Sequence, residues 1–380
     1  MRTKRKTLIV SIVLIVSSII LIVFFSYNAL FQMVSIERPQ EPLKPFPYYS
    51  EEVAFPNTQA DITLYGTLTM PSKKGNYPAV ILISGSGPQN RDEEMSGHKP
   101  FLIIANHLTT NGIAVLRYDD RGFGESTGAF NEATFADFAA DVTSAITYLK
   151  TRKQINKSKI GLIGHSEGGI IAPIVASSCD DVSFIVLLAG PGIEGKKVIL
   201  KQSELYPKVL GASKSDIQKS ISDWEKIIQM VTTLDNRDTL KVDLAKFLGE
   251  TYDEAPSILI PNNISKEVYV AMRSNRLSSP SFINLLNYDP APILEKVTCP
   301  VLALNGEKDI QVTAKENLAG INISLMKGGN TNVTIKEIPN LNHFFQECET
   351  GSPIEYKTIE QTFSPVALKE ISDWILEKVK

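Results

Sequence analysis

The chain has 380 residues, with 39 Lys and Arg against 42 Asp and Glu, a formal net charge of −3, 43% hydrophobic residues, three cysteines and four histidines. So even a charge balance supplies no basic field to gather nucleic acid, and the few scattered Cys and His residues make no zinc-ligand pattern. Cys179, Cys299 and Cys348 are odd in number and far apart, which argues against a disulfide framework.

In chain order, the first feature is a basic stub, Arg2, Lys4, Arg5 and Lys6, followed by an uncharged apolar run from Leu8 to Phe25. Eighteen helical residues would span about 27 Å, close to the roughly 30 Å hydrocarbon core of a bilayer. The run exceeds an ordinary signal-peptide core and leads into Ser26-Tyr27-Asn28-Ala29, without a clear cleavage pattern or a lipidated cysteine. Residues 1–33 are therefore expected to be an uncleaved transmembrane anchor; the alternative is a signal peptide and a secreted product. The positive-inside rule puts the stub in the cytoplasm and the rest of the chain outside. Residues 34–50, with Pro39, Pro42, Pro45 and Pro47, read as an extended tether.

From residue 60 onward, apolar runs alternate with amphipathic segments. Strands are expected at Ile62–Met70, Ala79–Ser84, Ala114–Tyr118, Ile160–Gly164, Ser183–Ala189, Val301–Asn305 and Val333–Ile338, and helices at Phe101–Thr110 and Ala133–Lys150. This alternation predicts an α/β fold: a mostly parallel sheet covered by helices on both faces, with ligands at the carboxyl ends of its strands. About 110 residues separate the strand ending at Ala189 from the one starting at Val301. Within them Ile217, Ile221, Trp224, Ile228 and Val231 form one helical stripe, and Leu240, Leu244, Phe247 and Leu248 suggest another. Residues 195–285 are expected to be a helical lid inserted into a core of residues 51–194 and 286–380.

Chemistry enters at Gly164-His165-Ser166-Glu167-Gly168, between an apolar strand and a small-residue helix start. That context suits a nucleophile elbow, in which Ser166 is held in a strained turn and the glycines remove side chains that would collide. A serine needs a base, and the base needs an orienting carboxylate. His343 and Asp309 both follow expected strands, in the chain order Ser…Asp…His; Glu307 is the nearest rival acid. His165 points away from the nucleophile's side chain, His107 sits in a helix, and His98 follows the first central strand and is a candidate for pocket lining. Two backbone donors are needed for the oxyanion. One is expected from Glu167 and the other from Ser86, with Gly87 beside it, in Ser84-Gly85-Ser86-Gly87-Pro88.

Together, the Ser84–Gly87 loop, Asp119-Asp120-Arg121-Gly122-Phe123-Gly124-Glu125-Ser126, the Ser166 elbow, Gly306-x-x-Asp309 and His343 resemble the serine α/β-hydrolase superfamily from residue 60 to the end. The chain is most similar to its bacterial esterase and serine-aminopeptidase (S33-like) branch. The oxyanion loop begins with Ser84 where the family has His. The Asp-Asp-Arg-Gly segment matches a structural corner of the family, so no catalytic role passes to Asp119, Asp120 or Arg121. The resemblance implies hydrolysis of a small-molecule ester through an acyl-enzyme on Ser166, without metal or organic cofactor. The alternatives are an aminopeptidase or acyl-peptidase acting on short peptides, which would need a lid acid such as Glu204, Asp223, Glu225 or Asp253 for the substrate amine, and a non-catalytic ligand sensor on the same fold.

Overall fold

In a computed structural model, residues 38–254 and 264–380 are described, and Gln40–Lys380 form one contact unit. The expected anchor, Leu8–Phe25, lies outside the described residues. Among the described residues, no helix is long and apolar enough to cross a membrane.

Eight strands form one sheet: β1 (Tyr49–Asn57), β2 (Ile62–Met70), β3 (Tyr77–Ile83), β4 (Ala114–Tyr118), β5 (Ile155–His165), β6 (Phe184–Leu188), β7 (Val301–Gly306) and β8 (Val333–Ile338). Their order is β1-β2-β4-β3-β5-β6-β7-β8; β2 pairs antiparallel with β1 and β4, and every other pairing is parallel. The interior strands are buried on both faces, β4 and β6 at all five positions, which is why they read as continuous apolar runs. Two helices, α1 (Pro100–Thr110) and α11 (Pro365–Lys378), pack one face through Phe101, Ile104, Ile371 and Ile375. The other face carries α2 (Phe135–Thr151), α3 (Gly168–Ala176) and α10 (Ala314–Lys327) through Val142, Ile171 and Leu318. A reciprocal capping box between Thr134 and Asp137 starts α2.

Between β6 and β7 the chain forms α4 (Gly195–Val209), α5 (Lys214–Thr233), α6 (Arg237–Thr251), α7 (Lys266–Leu277), α8 (Pro280–Asn287) and the short α9 (Ala291–Leu294). The first five share their own small core, with Ile199, Ile227, Leu240, Leu244, Leu277 and Phe282 buried against one another.

Two expectations need revision. Strand β1 begins inside the stretch read as a tether, and Gln40 is already docked. Its Oε1 accepts the amides of Thr362 (2.6 Å) and Phe363 (2.9 Å), and its Nε2 donates to the Phe363 carbonyl (2.7 Å). Strand β5 starts at Ile155, earlier than its apolar run, because Asn156–Lys159 are polar residues at its partly exposed beginning.

Candidate active site

Strands β3, β5, β7 and β8 run parallel, so the loops that follow them open on one edge of the sheet. At the end of β5, Ser166 has φ 51°, a left-handed conformation that costs a residue with a Cβ about 1 kcal/mol or more. Packing enforces it. A Cβ on Gly164 would collide with the Gly168 carbonyl, and one on Gly168 with the Ile83 carbonyl. The Ser166 amide donates to the Leu188 carbonyl at 2.9 Å, tying the turn to β6.

Asp309, after β7, is buried. Its Oδ1 accepts the amides of Gln311 (2.8 Å) and Val312 (2.9 Å), which leaves Oδ2 to accept from His343 Nδ1 at 2.8 Å. A carboxylate oxygen only accepts, so Nδ1 carries the proton and Nε2 of the neutral ring keeps its lone pair. His343 lies in a tight turn in which Asn342 Oδ1 accepts the amides of Phe344 and Gln346, both at 3.0 Å. The rival acid, Glu307, instead accepts the Asn340 amide at 3.0 Å.

A cavity of about 610 Å³ opens at Ser166, lined by Ser86, Gly87 and Glu167 and, from the helical insertion, by Val198, Met272, Arg276 and Phe282. Among the described residues, the amides of Ser86 and Glu167 donate to no protein acceptor. Two expected donors are thus available at the cavity wall. Gly87, at φ 92°, has open space where a side chain would stand.

His98 does not line this cavity, contrary to expectation. It is buried away from it, with Nδ1 2.9 Å from Thr362 Oγ1 and Nε2 2.7 Å from the Tyr356 carbonyl. His107 is half-buried in α1 against Ser372, at 3.0 Å.

Sequence reasoning missed Glu93. Held at φ 51° in a turn closed by Asn90, it is buried with Oε1 accepting the Gly85 amide (2.7 Å) and facing His165 Nδ1 (2.8 Å). His165 Nε2 faces the His343 carbonyl at 3.0 Å. Both ring nitrogens therefore face acceptors, the pattern of an imidazolium paired with a carboxylate. Burial alone would lower the His165 pKa, but the Glu93 charge and hydrogen bond outweigh it and raise the value above the ordinary one. This pair joins three loops: that of Gly85 and Ser86, the elbow, and that of His343.

Two more buried acids flank the site. Burial pushes Glu167 up to about 7, with Arg276 pulling the other way. Burial also pushes Asp120 up to about 8, although its Oδ1 accepts from Ser84 Oγ (2.7 Å) and its Oδ2 from the Gln89 amide (2.9 Å). In the neighbouring corner, Arg121 Nε donates to Asp141 Oδ2 at 2.7 Å and Asp119 Oδ2 pairs with Arg91 at 2.8 Å. These contacts pin the loops beside the cavity.

With the fold, the elbow and the carboxylate–imidazole pair in view, the chain is similar to the serine hydrolases of α/β-hydrolase fold. The serine aminopeptidase, S33, family model matches residues 99–252. The esterase EstD of Thermotoga maritima is 29% identical over 326 residues, 84% of this chain and 68% of that protein. Among solved structures, the α/β-hydrolase GrgF of Penicillium sp. sh18 superposes with a TM-score of 0.54 at 16% identity, over 87% of this chain and 99% of that one. The Pyrococcus furiosus esterase Pf2001 gives 0.53 at 17% identity, over 88% and 92%. At those identities the structural likeness speaks for the fold alone.

Proposed function

We propose that this protein hydrolyses carboxylic esters through a Ser166–His343–Asp309 triad. The observation that carries the reading is the buried Asp309–His343 hydrogen bond at the strand ends beside a strained Ser166; likeness to an esterase along most of the chain supports the substrate class. His343 Nε2 takes the Ser166 proton as Oγ attacks the acyl carbonyl, and Asp309 stabilises the imidazolium that forms. The amides of Ser86 and Glu167 receive the oxyanion. His343 then protonates the departing alkoxide, and water, deprotonated by the same ring, releases the acid from the acyl-enzyme. The helical insertion serves as a lid, closing the cavity around the acyl chain.

The family model's name favours a second reading, an aminopeptidase with the same triad. That activity needs a free carboxylate for the substrate's ammonium. The lid acids weighed for this are occupied or exposed: Glu204 pairs with Lys201 (3.1 Å), Asp223 with Lys219 (3.2 Å), Asp253 with Lys266 (2.6 Å), and Glu225 faces solvent. At the cavity itself Glu132 is taken by Arg237, and Glu167, pushed up to about 7 by burial, already has the Arg276 charge near it. Esters are the better supported substrate.

The test is turnover of p-nitrophenyl esters of increasing chain length beside aminoacyl p-nitroanilides, for the full chain and Ser166→Ala. Ester hydrolysis abolished by the substitution supports the reading. A preference for the anilides replaces it with the peptidase, and silence on both substrates leaves a ligand sensor on a hydrolase fold.

The same reading holds the chain at the cell membrane through Leu8–Phe25, with the catalytic body outside the cytoplasm, supported by the basic residues ahead of that run. Protease added to intact cells should then digest the body; full protection would overturn this placement.

A further inference from the structure

The cavity at Ser166 carries more positive than negative charge, in a chain whose net charge is −3. Helix α6 contributes Arg237 and Lys241 to its wall, and α7 contributes Arg276. Arg237 is committed, donating from Nε to the Ser278 carbonyl at 2.8 Å and pairing with Glu132. Arg276 and Lys241 are not: among the described residues, no hydrogen bond or ion pair engages either side-chain charge.

Two further features single out Arg276. It lines a second cavity of about 450 Å³, which shares Ile199, Met272 and Phe282 with the first, so its head stands where the two spaces adjoin. Its charge is also aggravated by its own helix. Arg273, one turn earlier, faces the second cavity and is held over the rings of Trp224 (5.3 Å) and Tyr269 (5.9 Å). Like charges at this spacing disfavour a helix. Crowding by protein and the Arg273 charge lower the Arg276 pKa, and Glu167 only partly opposes them. Glu167 is a weak counter-ion, because burial keeps its carboxyl protonated for part of the time near neutral pH. Arg276 is open to solvent, and a guanidinium without a protein partner on the wall of the cavity that holds the serine is free to receive an anion. Its planar fork suits a carboxylate best.

We propose that Arg276 binds a carboxylate carried by the substrate at a distance from the scissile bond, so that the preferred substrates are esters of half-charged diacids or similar anionic acyl chains. Ile170, Val198 and Phe282 hold the methylenes between the ester and the charge. This inference rests on the esterase reading and narrows it.

The experiment compares mono-p-nitrophenyl adipate, whose acyl chain ends in a carboxylate, with p-nitrophenyl hexanoate, of the same length and neutral. The quantity read is the ratio of their kcat/KM values within one protein: full-length wild type, Arg276→Gln, Arg276→Lys, and Lys336→Gln as a remote charge control. Wild type and the Lys336 variant should favour the adipate ester. Arg276→Gln should lower the ratio by about tenfold or more, the scale of one hydrogen bond to a charged group, chiefly through KM, and Arg276→Lys should recover part of it. A wild-type ratio of one or less, or a ratio equal in wild type and Arg276→Gln, overturns the proposal while leaving the esterase reading in place. Hydrolysis of neither ester overturns both.

Discussion

Replacing Glu93 by glutamine tests whether the buried contact with His165 is an ion pair. In the wild-type arrangement one carboxylate oxygen accepts from both the Gly85 amide (2.7 Å) and His165 Nδ1 (2.8 Å), while His165 Nε2 donates to the His343 carbonyl. A glutamine of the same shape cannot serve all three with a neutral ring. If its oxygen keeps the Gly85 amide, it faces the lone pair on Nδ1; if its NH2 turns to Nδ1, the Gly85 amide is orphaned. A buried hydrogen bond left unmade costs about 1–3 kcal/mol, whereas an imidazolium kept without its counter-ion would cost about 3–5 kcal/mol. Since the ring can release its proton, we expect the lower range, about 1–3 kcal/mol, at mildly acidic pH. The folded-state pKa of His165 is raised above its unfolded value, so the pair's contribution is fully present below the ordinary value of 6.5 and is lost as pH rises through the folded pKa. Urea unfolding of the purified full chain at about pH 6 and about pH 9 should therefore show a penalty for Glu93→Gln that shrinks with pH. A penalty below about 0.5 kcal/mol at both pH values, or one that grows with pH, would refute the ion-pair assignment.

Two further substitutions probe the same neighbourhood. Asp309→Asn keeps an oxygen for the Gln311 and Val312 amides but turns a donor toward His343 Nδ1, forcing the proton onto Nε2; kcat on a p-nitrophenyl ester should fall by about 10³–10⁴ with the circular-dichroism spectrum unchanged, and a loss under tenfold would count against the triad. Glu167 titrates at about 7 when folded against an ordinary 4.5, so its charge burdens the folded state progressively as pH rises across that window. Glu167→Gln should be more stable than wild type by about 1–3 kcal/mol at pH 8 and equal to it below the ordinary value, and equal stability at both would show that the carboxyl is not desolvated.

Much of this architecture was legible in the sequence because the central strands are buried on both faces and leave unbroken apolar runs. The elbow was legible for a local reason, since Gly164 and Gly168 are needed where backbone passes within a Cβ of backbone. Strand β1 was not. Val53, Phe55 and Asn57 are its buried positions, alternating with exposed ones and interrupted by Pro56, so it carries no run to detect. Glu93 sits in Arg91-Asp92-Glu93-Glu94, a string that reads as a solvated charge cluster. Its burial follows from a histidine that lies 72 residues away in sequence. His98 fails as a pocket residue for the same kind of reason: its partners, Tyr356 and Thr362, are more than 250 residues downstream and draw it behind the site. Arg276 looks like one more charge on an amphipathic helix until the cavity is seen in front of it.

In the proposed mechanism Ser166 is a nucleophile activated by His343. Treating the full chain with a biotinylated alkyl fluorophosphonate and mapping the adduct by tandem mass spectrometry tests it most directly. One stoichiometric adduct is expected, on the peptide containing Ser166, formed far more slowly in His343→Ala and absent in Ser166→Ala. Labelling that persists in Ser166→Ala, or that proceeds at the wild-type rate without His343, would contradict it.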